Sequence, residues 1–258
     1  MKFKFRENNL EIFYEISGNT DGSKIVLIHG LFVNSDTWCN QIDALKSEFN
    51  ILRYDLRGHG RSTKPTVNFT VQNHIDDLYA LLTYLNWTKD IYLVGHSLGG
   101  MIALQYGIEN PAQIKKIVAA DTFCFVTKEA VEGVVGDIKN NTLESYALLL
   151  SERGLIPYNK ATAEFISKTI TDHMTKEDLI RATTATEGFN ICEKLKSLNL
   201  PVLLLVGEKD VRTPVQASKM LDNLLPQSEL AVIQEAGHFT ILDHPEQFDD
   251  LVLSFWKK

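Results

Sequence analysis

Short apolar runs alternate with amphipathic stretches along most of the chain. Residues 25–28, 91–94 and 202–206 are almost continuously hydrophobic, which is typical of strands that are buried on both faces of a parallel sheet. The stretches between them place hydrophobic residues at helical spacing. This alternation predicts an α/β fold with a mostly parallel eight-stranded sheet and helices on both faces.

The beginning of the chain predicts two further strands of this sheet. Alternating residues 2–6 and 10–16, separated by Glu7-Asn8-Asn9, predict a hairpin at one edge. The remaining predictions are strands at 25–28, 49–54, 91–94, 114–120, 201–206 and 230–233, and helices at 36–47, 70–85, 98–109, 215–224 and 245–256.

The strand rhythm stops in the middle of the chain. Between residues 123 and 189 no run is typical of a buried strand, and residues 128–139, 143–151, 161–172 and 176–185 predict four helices. We therefore expect a core formed by residues 1–123 and 190–258, with residues 124–189 inserted as a helical cap, or lid, over the carboxyl ends of the strands.

The first candidate for chemistry is a serine between glycines. Gly95-His96-Ser97-Leu98-Gly99 lies between a predicted strand and a predicted helix, the context in which G-x-S-x-G forms a sharp turn that exposes a nucleophilic serine. The helix would begin directly beneath Ser97, so its free N–H groups would face any negative charge developing there.

A serine nucleophile needs a base and an acid that orients the base. His238 lies in a glycine-containing loop after the last predicted strand, and Asp210 follows the strand at 202–206. Both lie at strand ends, where ligand sites form in open α/β sheets. Glu208 and Asp121 are the alternatives for the acid.

Three separated motifs together resemble the α/β-hydrolase family. They are His29-Gly30-Leu31-Phe32, Gly95-His96-Ser97-Leu98-Gly99, and Gly207-Glu208-Lys209-Asp210 followed by Gly237-His238. The order serine, acid, histidine along the chain is that of the family. The sequence is most similar to the branch of small serine esterases, enol-lactonases and cofactor-free haloperoxidases. The resemblance implies that Ser97, Asp210 and His238 are catalytic.

The same resemblance implies an oxyanion hole. Acyl transfer places negative charge on the former carbonyl oxygen, which main-chain N–H groups stabilise. The expected donors are the amides of Leu98, next to the nucleophile, and Leu31, with Phe32 as an alternative to Leu31.

Aromatic residues around the predicted cap are candidates for substrate binding. Phe32, Phe123, Phe125 and Phe189 would line an apolar pocket, although for any one of them simple packing of the cap on the core is the better explanation. Basic residues of the cap are candidates for contact with an acidic acyl-carrier protein, but a solvated helix face explains them too: Arg153, Lys160, Lys168 and Arg181.

Composition limits the remaining possibilities. The chain has 258 residues, a formal net charge of −7 and 44% hydrophobic residues, so it has material for a full core and no basic surface for nucleic acid. No apolar run is long enough for a membrane span. The three cysteines, an odd number without C-x-x-C spacing, predict neither a disulfide framework nor a zinc site, and favour a cytoplasmic location.

These observations predict a serine carboxylesterase that acts on a small or medium-chain carboxylic ester through an acyl-enzyme, without metal or organic cofactor. A lactonase or C–C-bond hydrolase with the same triad is the alternative among enzymes. A ligand-binding receptor on a hydrolase fold is the alternative outside enzymes. The substrate is expected to be a small molecule, and the oligomeric state is left open.

Overall fold

An eight-stranded sheet organises the computed structural model, which describes residues 1–4 and 10–258. The strands are β1 (Lys2–Lys4), β2 (Glu11–Gly18), β3 (Ser23–Ile28), β4 (Phe49–Tyr54), β5 (Ile91–His96), β6 (Ile114–Ala120), β7 (Val202–Gly207) and β8 (Ser228–Ile233). Their spatial order is β1-β2-β4-β3-β5-β6-β7-β8. The first three strands in this order pair antiparallel, and all other pairs are parallel. The predicted mostly parallel sheet is confirmed, and the turn predicted at Glu7-Asn8-Asn9 lies outside the described residues.

Both faces of the sheet are buried because side chains alternate along each strand. In β3, Val26 and Ile28 pack into one hydrophobic cluster, whereas Ile25 and Leu27 pack into another on the opposite face. Six helices cover the two faces or connect the strands: α1 (Cys39–Leu45), α2 (Val71–Tyr84), α3 (Leu98–Glu109), α8 (Val215–Leu224), α9 (Thr240–Asp243) and α10 (Pro245–Lys257).

Four helices fill the segment between β6 and β7, as predicted. They are α4 (Lys128–Asn140), α5 (Leu143–Gly154), α6 (Lys160–Thr171) and α7 (Lys176–Thr184). A threonine or asparagine side chain caps the first turn of each, as the hydroxyl of Thr127 does for α4. The helices form a hydrophobic cluster of their own, which also contains Phe32 and Phe239. We refer to residues 124–189 as the cap segment.

The first residue of the cap segment is joined covalently to a residue just beyond its last one. Cys124 and Cys192 form a disulfide, and Phe125 forms a β-bridge with Asn190 beside it. The expectation that the cysteines would not pair was wrong. It failed because the two residues are 68 positions apart and meet only where the cap segment leaves and rejoins the sheet.

Among the described residues, no helix combines the length and the apolar character that crossing a membrane requires.

Candidate active site

Ser97 lies at the turn between β5 and α3, in a backbone conformation that few residues adopt. Its φ is 56° and its ψ is −116°, and such strain persists only where the surrounding structure enforces it. The Ser97 amide donates a hydrogen bond to the Ala120 carbonyl oxygen over 2.8 Å, which fixes the turn to the neighbouring strand.

Glycine is required on both sides of this turn. A Cβ atom on Gly95 would lie 2.1 Å from the Gly99 carbonyl oxygen, and one on Gly99 would lie 2.0 Å from the Ile28 carbonyl oxygen. Because any side chain would collide with main-chain atoms, the two glycines permit the close approach of β5, α3 and β3 that holds Ser97 at the carboxyl end of the sheet.

His238 lies within hydrogen-bonding distance of Ser97. The distance from His238 Nε2 to Ser97 Oγ is 3.2 Å, and His238 Nδ1 is 2.8 Å from Asp210 Oδ2. A carboxylate only accepts hydrogen bonds, so the Nδ1–H donates to Asp210 and leaves Nε2 free to accept from the serine hydroxyl. This arrangement suits a base that removes the serine proton.

Asp210 is buried and strongly hydrogen-bonded. The Thr213 hydroxyl donates to Oδ2 over 2.5 Å, and the amides of Arg212 and Thr213 donate to Oδ1 over 2.7 and 3.0 Å. Burial on its own raises the pKa of Asp210, but the His238 charge and these hydrogen bonds outweigh it, so the net pKa lies below its usual range. Asp210 therefore remains ionised beside His238.

The two alternative acids have other partners. Asp121 accepts hydrogen bonds from the Gly207 amide and the Thr240 hydroxyl. Burial, followed by repulsion from Asp210, raises the pKa of Asp121 well above its usual value. Glu208 accepts from the Glu235 amide at the surface. Of the three acids, Asp210 is the one that contacts the His238 ring.

His96 supports the main chain of His238. Its Nε2 lies 2.7 Å from the His238 carbonyl oxygen, and the two rings are 5.0 Å apart between centroids. Burial, followed by the nearby charge of His238, lowers the pKa of His96 to about 3. A neutral His96 can thus donate through Nε2 and fix the loop that carries His238.

Leu31 and Leu98, whose amides are the predicted oxyanion donors, line the same cavity as Ser97. Leu98 is the first residue of α3, and within the described residues neither its amide nor that of Leu31 has a hydrogen-bond acceptor. The loop that carries Leu31 approaches Ser97 closely, because a Cβ on Gly30 would lie 3.2 Å from Ser97 Cβ. The geometry is compatible with both predicted oxyanion donors. Phe32, the alternative, has a φ of 73° and a buried side chain.

Ser97 and His238 open into a cavity of about 310 Å³ between the sheet and the cap segment. Its wall is mostly apolar, which suits an acyl chain or another hydrophobic group. The residues that contribute to this wall from the cap segment include Val126, Val131, Val134, Tyr146 and Leu150.

The four phenylalanines predicted to bind substrate divide into two pairs. Phe32 and Phe123 line the cavity, whereas Phe125 and Phe189 do not. Phe125 lies at the base of the cap segment with 40% of its surface exposed, and Phe189 packs into the core cluster on the α3 face of the sheet. For Phe125 and Phe189 the structure supports packing at the cap base instead of contact with substrate.

Sequence reasoning overlooked three polar contributors to the site. Thr213 binds Asp210, Arg212 reaches the cavity wall, and Tyr146 faces the cavity from α5. Thr213 could have been identified from the sequence, because Asp210-Val211-Arg212-Thr213-Pro214 follows a predicted strand and places the threonine three residues after the predicted acid. Tyr146 was not, because its position depends on how the cap segment packs.

The described residues contain no group of three or more histidine, cysteine, aspartate or glutamate side chains placed to hold a metal ion.

Comparison with known proteins supports a family assignment. The sequence model of the α/β-hydrolase fold matches residues 24–137. A proposed carbamate hydrolase, RutD of Agrobacterium fabrum, is 30% identical, with 94% of this chain and 97% of RutD aligned. The 3-oxoadipate enol-lactonase 1 of Acinetobacter baylyi is 26% identical, with 94% and 92% aligned.

Solved structures agree with the sequence relatives. The crystal structure of a bromoperoxidase from Bacillus anthracis superposes with a TM-score of 0.91 at 22% identity, covering 100% of this chain and 99% of that one. At that level of identity the likeness concerns the fold. Sheet order, serine turn and the aligned relatives lead to one conclusion: the chain belongs to the α/β-hydrolase family and is a hydrolase, with an enol-lactonase, esterases and a bromoperoxidase among the proteins it is similar to.

Proposed function

We propose that the protein is a serine carboxylesterase that hydrolyses a small or medium-chain carboxylic ester through an acyl-enzyme. The observation that carries this proposal is the hydrogen-bonded series Ser97–His238–Asp210 at the floor of an apolar cavity. A base, an orienting acid and an exposed hydroxyl in this order are the parts that nucleophilic acyl transfer needs.

In the first half of the reaction, Ser97 Oγ attacks the ester carbonyl carbon while His238 Nε2 takes the serine proton. The imidazolium that forms is stabilised by Asp210, whose Oδ2 already accepts from Nδ1. His238 then gives the proton to the departing alcohol oxygen, and the acyl group stays on Ser97.

The charge of the tetrahedral intermediate falls on the former carbonyl oxygen. The amides of Leu31 and Leu98 are the proposed donors to this oxygen, since neither has an acceptor in the described residues and both adjoin Ser97. Loss of one such donor costs about 3 kcal/mol of transition-state stabilisation in serine hydrolases. In the second half, water replaces the alcohol, and His238 activates it to release the acid.

The cavity limits the size of the acyl group. A volume of about 310 Å³ lies at the lower end of the range for small-molecule sites. Phe32 and Phe123 are proposed to contact the acyl chain, and the cap segment is proposed to act as the lid over it. An acyl-carrier protein as partner and a cytoplasmic location stay predictions.

Hydrolysis of p-nitrophenyl esters with acyl chains of graded length tests the proposal. We expect turnover with an optimum at short or medium length, and loss of at least about 10³-fold in Ser97→Ala, because catalysis by the triad is removed. Folding of the variant is checked by circular dichroism. Absence of turnover at every length in a folded native protein would contradict the esterase assignment.

Two relatives support a second candidate function, the hydrolysis of a lactone or a carbamate. Their names, enol-lactonase and proposed carbamate hydrolase, refer to other carbonyl substrates, and the same Ser97–His238 geometry could attack a lactone or carbamate. The same panel extended with lactones and carbamates separates these from esters. A C–C-bond hydrolase is detected with vinylogous diketones, and a receptor would retain its ligand covalently after a single turnover.

A further inference from the structure

A second cavity of about 220 Å³ adjoins the catalytic one. The two share part of their walls, formed by Val134, Tyr146, Leu150 and Arg212. Because Arg212 belongs to this shared wall, the far end of a molecule whose reacting carbonyl lies at Ser97 can reach the boundary of the second space between α4 and α5. We call it the side pocket; the residues lining it alone are Asp137, Leu149, Arg153 and Val211.

Two arginines line the side pocket without a carboxylate partner. Within the described residues, neither Arg153 nor Arg212 forms an ion pair, and the one hydrogen bond found for either side chain joins Arg212 Nη2 to the Leu150 carbonyl oxygen over 3.3 Å. The other arginines of the described chain all pair with aspartate or glutamate: Arg53, Arg57, Arg61 and Arg181. Unpaired arginines thus coincide with this cavity.

The electrostatics of the side pocket favour an anion. Desolvation of its guanidinium group lowers the pKa of Arg212, although the residue as a whole is exposed, and the positive charge of Arg153 lowers that pKa further. Tyr146, Asp210 and Asp137 act in the opposite direction. Asp137 is exposed and makes no ion pair with either arginine. An anion between the two guanidinium groups would relieve their repulsion and occupy their donors.

A carboxylate on the substrate is the group that fits this position. The catalytic cavity is apolar near Ser97 and becomes basic only at the wall shared with the side pocket. A planar carboxylate accepts two parallel N–H bonds from arginine. On the basis of the esterase function proposed above, we propose that Arg153 and Arg212 bind the terminal carboxylate of the acyl chain, so that the preferred substrate is a monoester of a dicarboxylic acid.

Paired esters test this specificity. The kcat/KM for p-nitrophenyl monoesters of glutaric, adipic and pimelic acid is compared with that for uncharged p-nitrophenyl esters of equal chain length. We expect the native protein to favour the acidic ester. Charge-assisted hydrogen bonds of this kind correspond to about 10- to 100-fold in the ratio, and Arg153→Gln together with Arg212→Gln should remove that preference.

Two further variants keep the test independent of folding. Asp137→Asn removes a negative charge from the lining of the side pocket, which would repel a bound carboxylate, and should raise the acidic-to-neutral ratio. Lys219→Gln removes a positive charge from an exposed position of α8 that lines neither cavity, and should leave the ratio unchanged. An unchanged ratio in all the variants, with normal turnover of neutral esters, would overturn the side-pocket proposal and leave the esterase function intact.

Binding supplies a measurement that does not depend on turnover. Calorimetry with Ser97→Ala should show tighter binding of adipate than of hexanoate, and the difference should vanish when both arginines are also replaced. Equal binding of the two acids would overturn the proposal. Lack of turnover on neutral and acidic esters alike would instead contradict the esterase function.

Discussion

Asp121 and Asp210 are buried carboxylates at neighbouring strand ends, and their surroundings shift their pKa values in opposite directions. Asp210 has His238, Thr213 and two amides around it, which hold its pKa below the usual range. The pKa of Asp121 is raised by burial and by repulsion from Asp210. Asp210 thus stays charged next to His238, whereas Asp121 is held by hydrogen bonds from the Gly207 amide and the Thr240 hydroxyl.

Asp210→Asn tests this assignment. The asparagine preserves the shape of the site but can present an N–H to His238 and stabilise the wrong tautomer, so we expect kcat to fall by about 10⁴-fold. Asp121→Asn should reduce kcat far less, because Asp121 does not contact the His238 ring. Initial rates of ester hydrolysis measure both. A larger loss in Asp121→Asn than in Asp210→Asn would contradict the assignment.

At this scale the sequence allowed Ser97, Asp210 and His238 to be predicted but left Asp121 and Glu208 open. Chain order and motif context single out the serine and the histidine. The choice among three acids depends on which carboxylate points at His238 Nδ1, and that direction is set by the turn from Gly207 to Thr213. A linear sequence does not contain that direction.

At the scale of elements, the β5–α3 turn and the cap helices use glycine for opposite reasons. Gly99 allows main chain to approach main chain, whereas an added Cβ on Gly133 or Gly136 of α4 would meet no atom within 4 Å apart from the adjoining backbone of its own helix. The former permits the serine turn. The latter only weaken their helix, because glycine has high backbone freedom in the unfolded chain.

Gly99→Ala and Gly133→Ala should therefore change stability in opposite directions. The Cβ of alanine 2.0 Å from the Ile28 carbonyl oxygen requires a shift of the main chain, and we expect a loss of about 1–3 kcal/mol in the free energy of unfolding. In Gly133→Ala we expect a gain of about 0.5–1 kcal/mol. Urea denaturation measures both values. Equal effects would show that the turn is not as closely packed as described.

The cap helices were predictable because each carries an apolar stripe and a polar cap of its own, but the bond between Cys124 and Cys192 was not. The disulfide depends on two segments that are distant in sequence and come together at the β-bridge between Phe125 and Asn190. Pattern and spacing describe elements that are local in sequence. They do not describe which ends of an insertion come together.

Replacing Cys124 and Cys192 together by serine should lower stability. A crosslink over 68 residues restricts the unfolded chain, and loop-closure entropy gives an expected loss of about 4 kcal/mol. Cys39→Ser is the matched control, since Cys39 is exposed and unpaired in the structure. Thermal unfolding measures the loss. Intact mass before and after reduction shows whether the bond forms; a native protein with three free thiols would contradict it.

At the scale of the whole molecule, buried neutral histidines connect stability to pH. His29, His59, His74 and His96 are all buried, and burial is the main cause that lowers the pKa of each. For His59 and His96 the pKa falls to about 3. The unfolded chain binds protons at these positions below about pH 6.5, and the folded protein does not. Their stabilising contribution is complete above pH 6.5 and is lost as the pH falls below it.

His74→Phe isolates one of these contributions. Within the described residues His74 Nδ1 has no hydrogen-bond partner, and its ring packs against Phe69 and His59. The variant should lose stability less steeply on acidification from pH 6.5 to 4.5, by up to about 1.4 kcal/mol per pH unit. Buried acids such as Asp121 oppose the histidines in both proteins, so they cancel from the comparison. Parallel pH profiles would contradict the proposed burial of a neutral His74.

The most direct test of the central claim is covalent labelling of the nucleophile. The native protein is treated with an organic fluorophosphonate, and the adduct is located by peptide mass spectrometry beside Ser97→Ala and His238→Ala. We predict one adduct, on Ser97, formed with loss of activity, absent from Ser97→Ala and much slower in His238→Ala. An adduct on another residue, or an unlabelled folded native protein, would contradict the claim that Ser97 is the activated nucleophile.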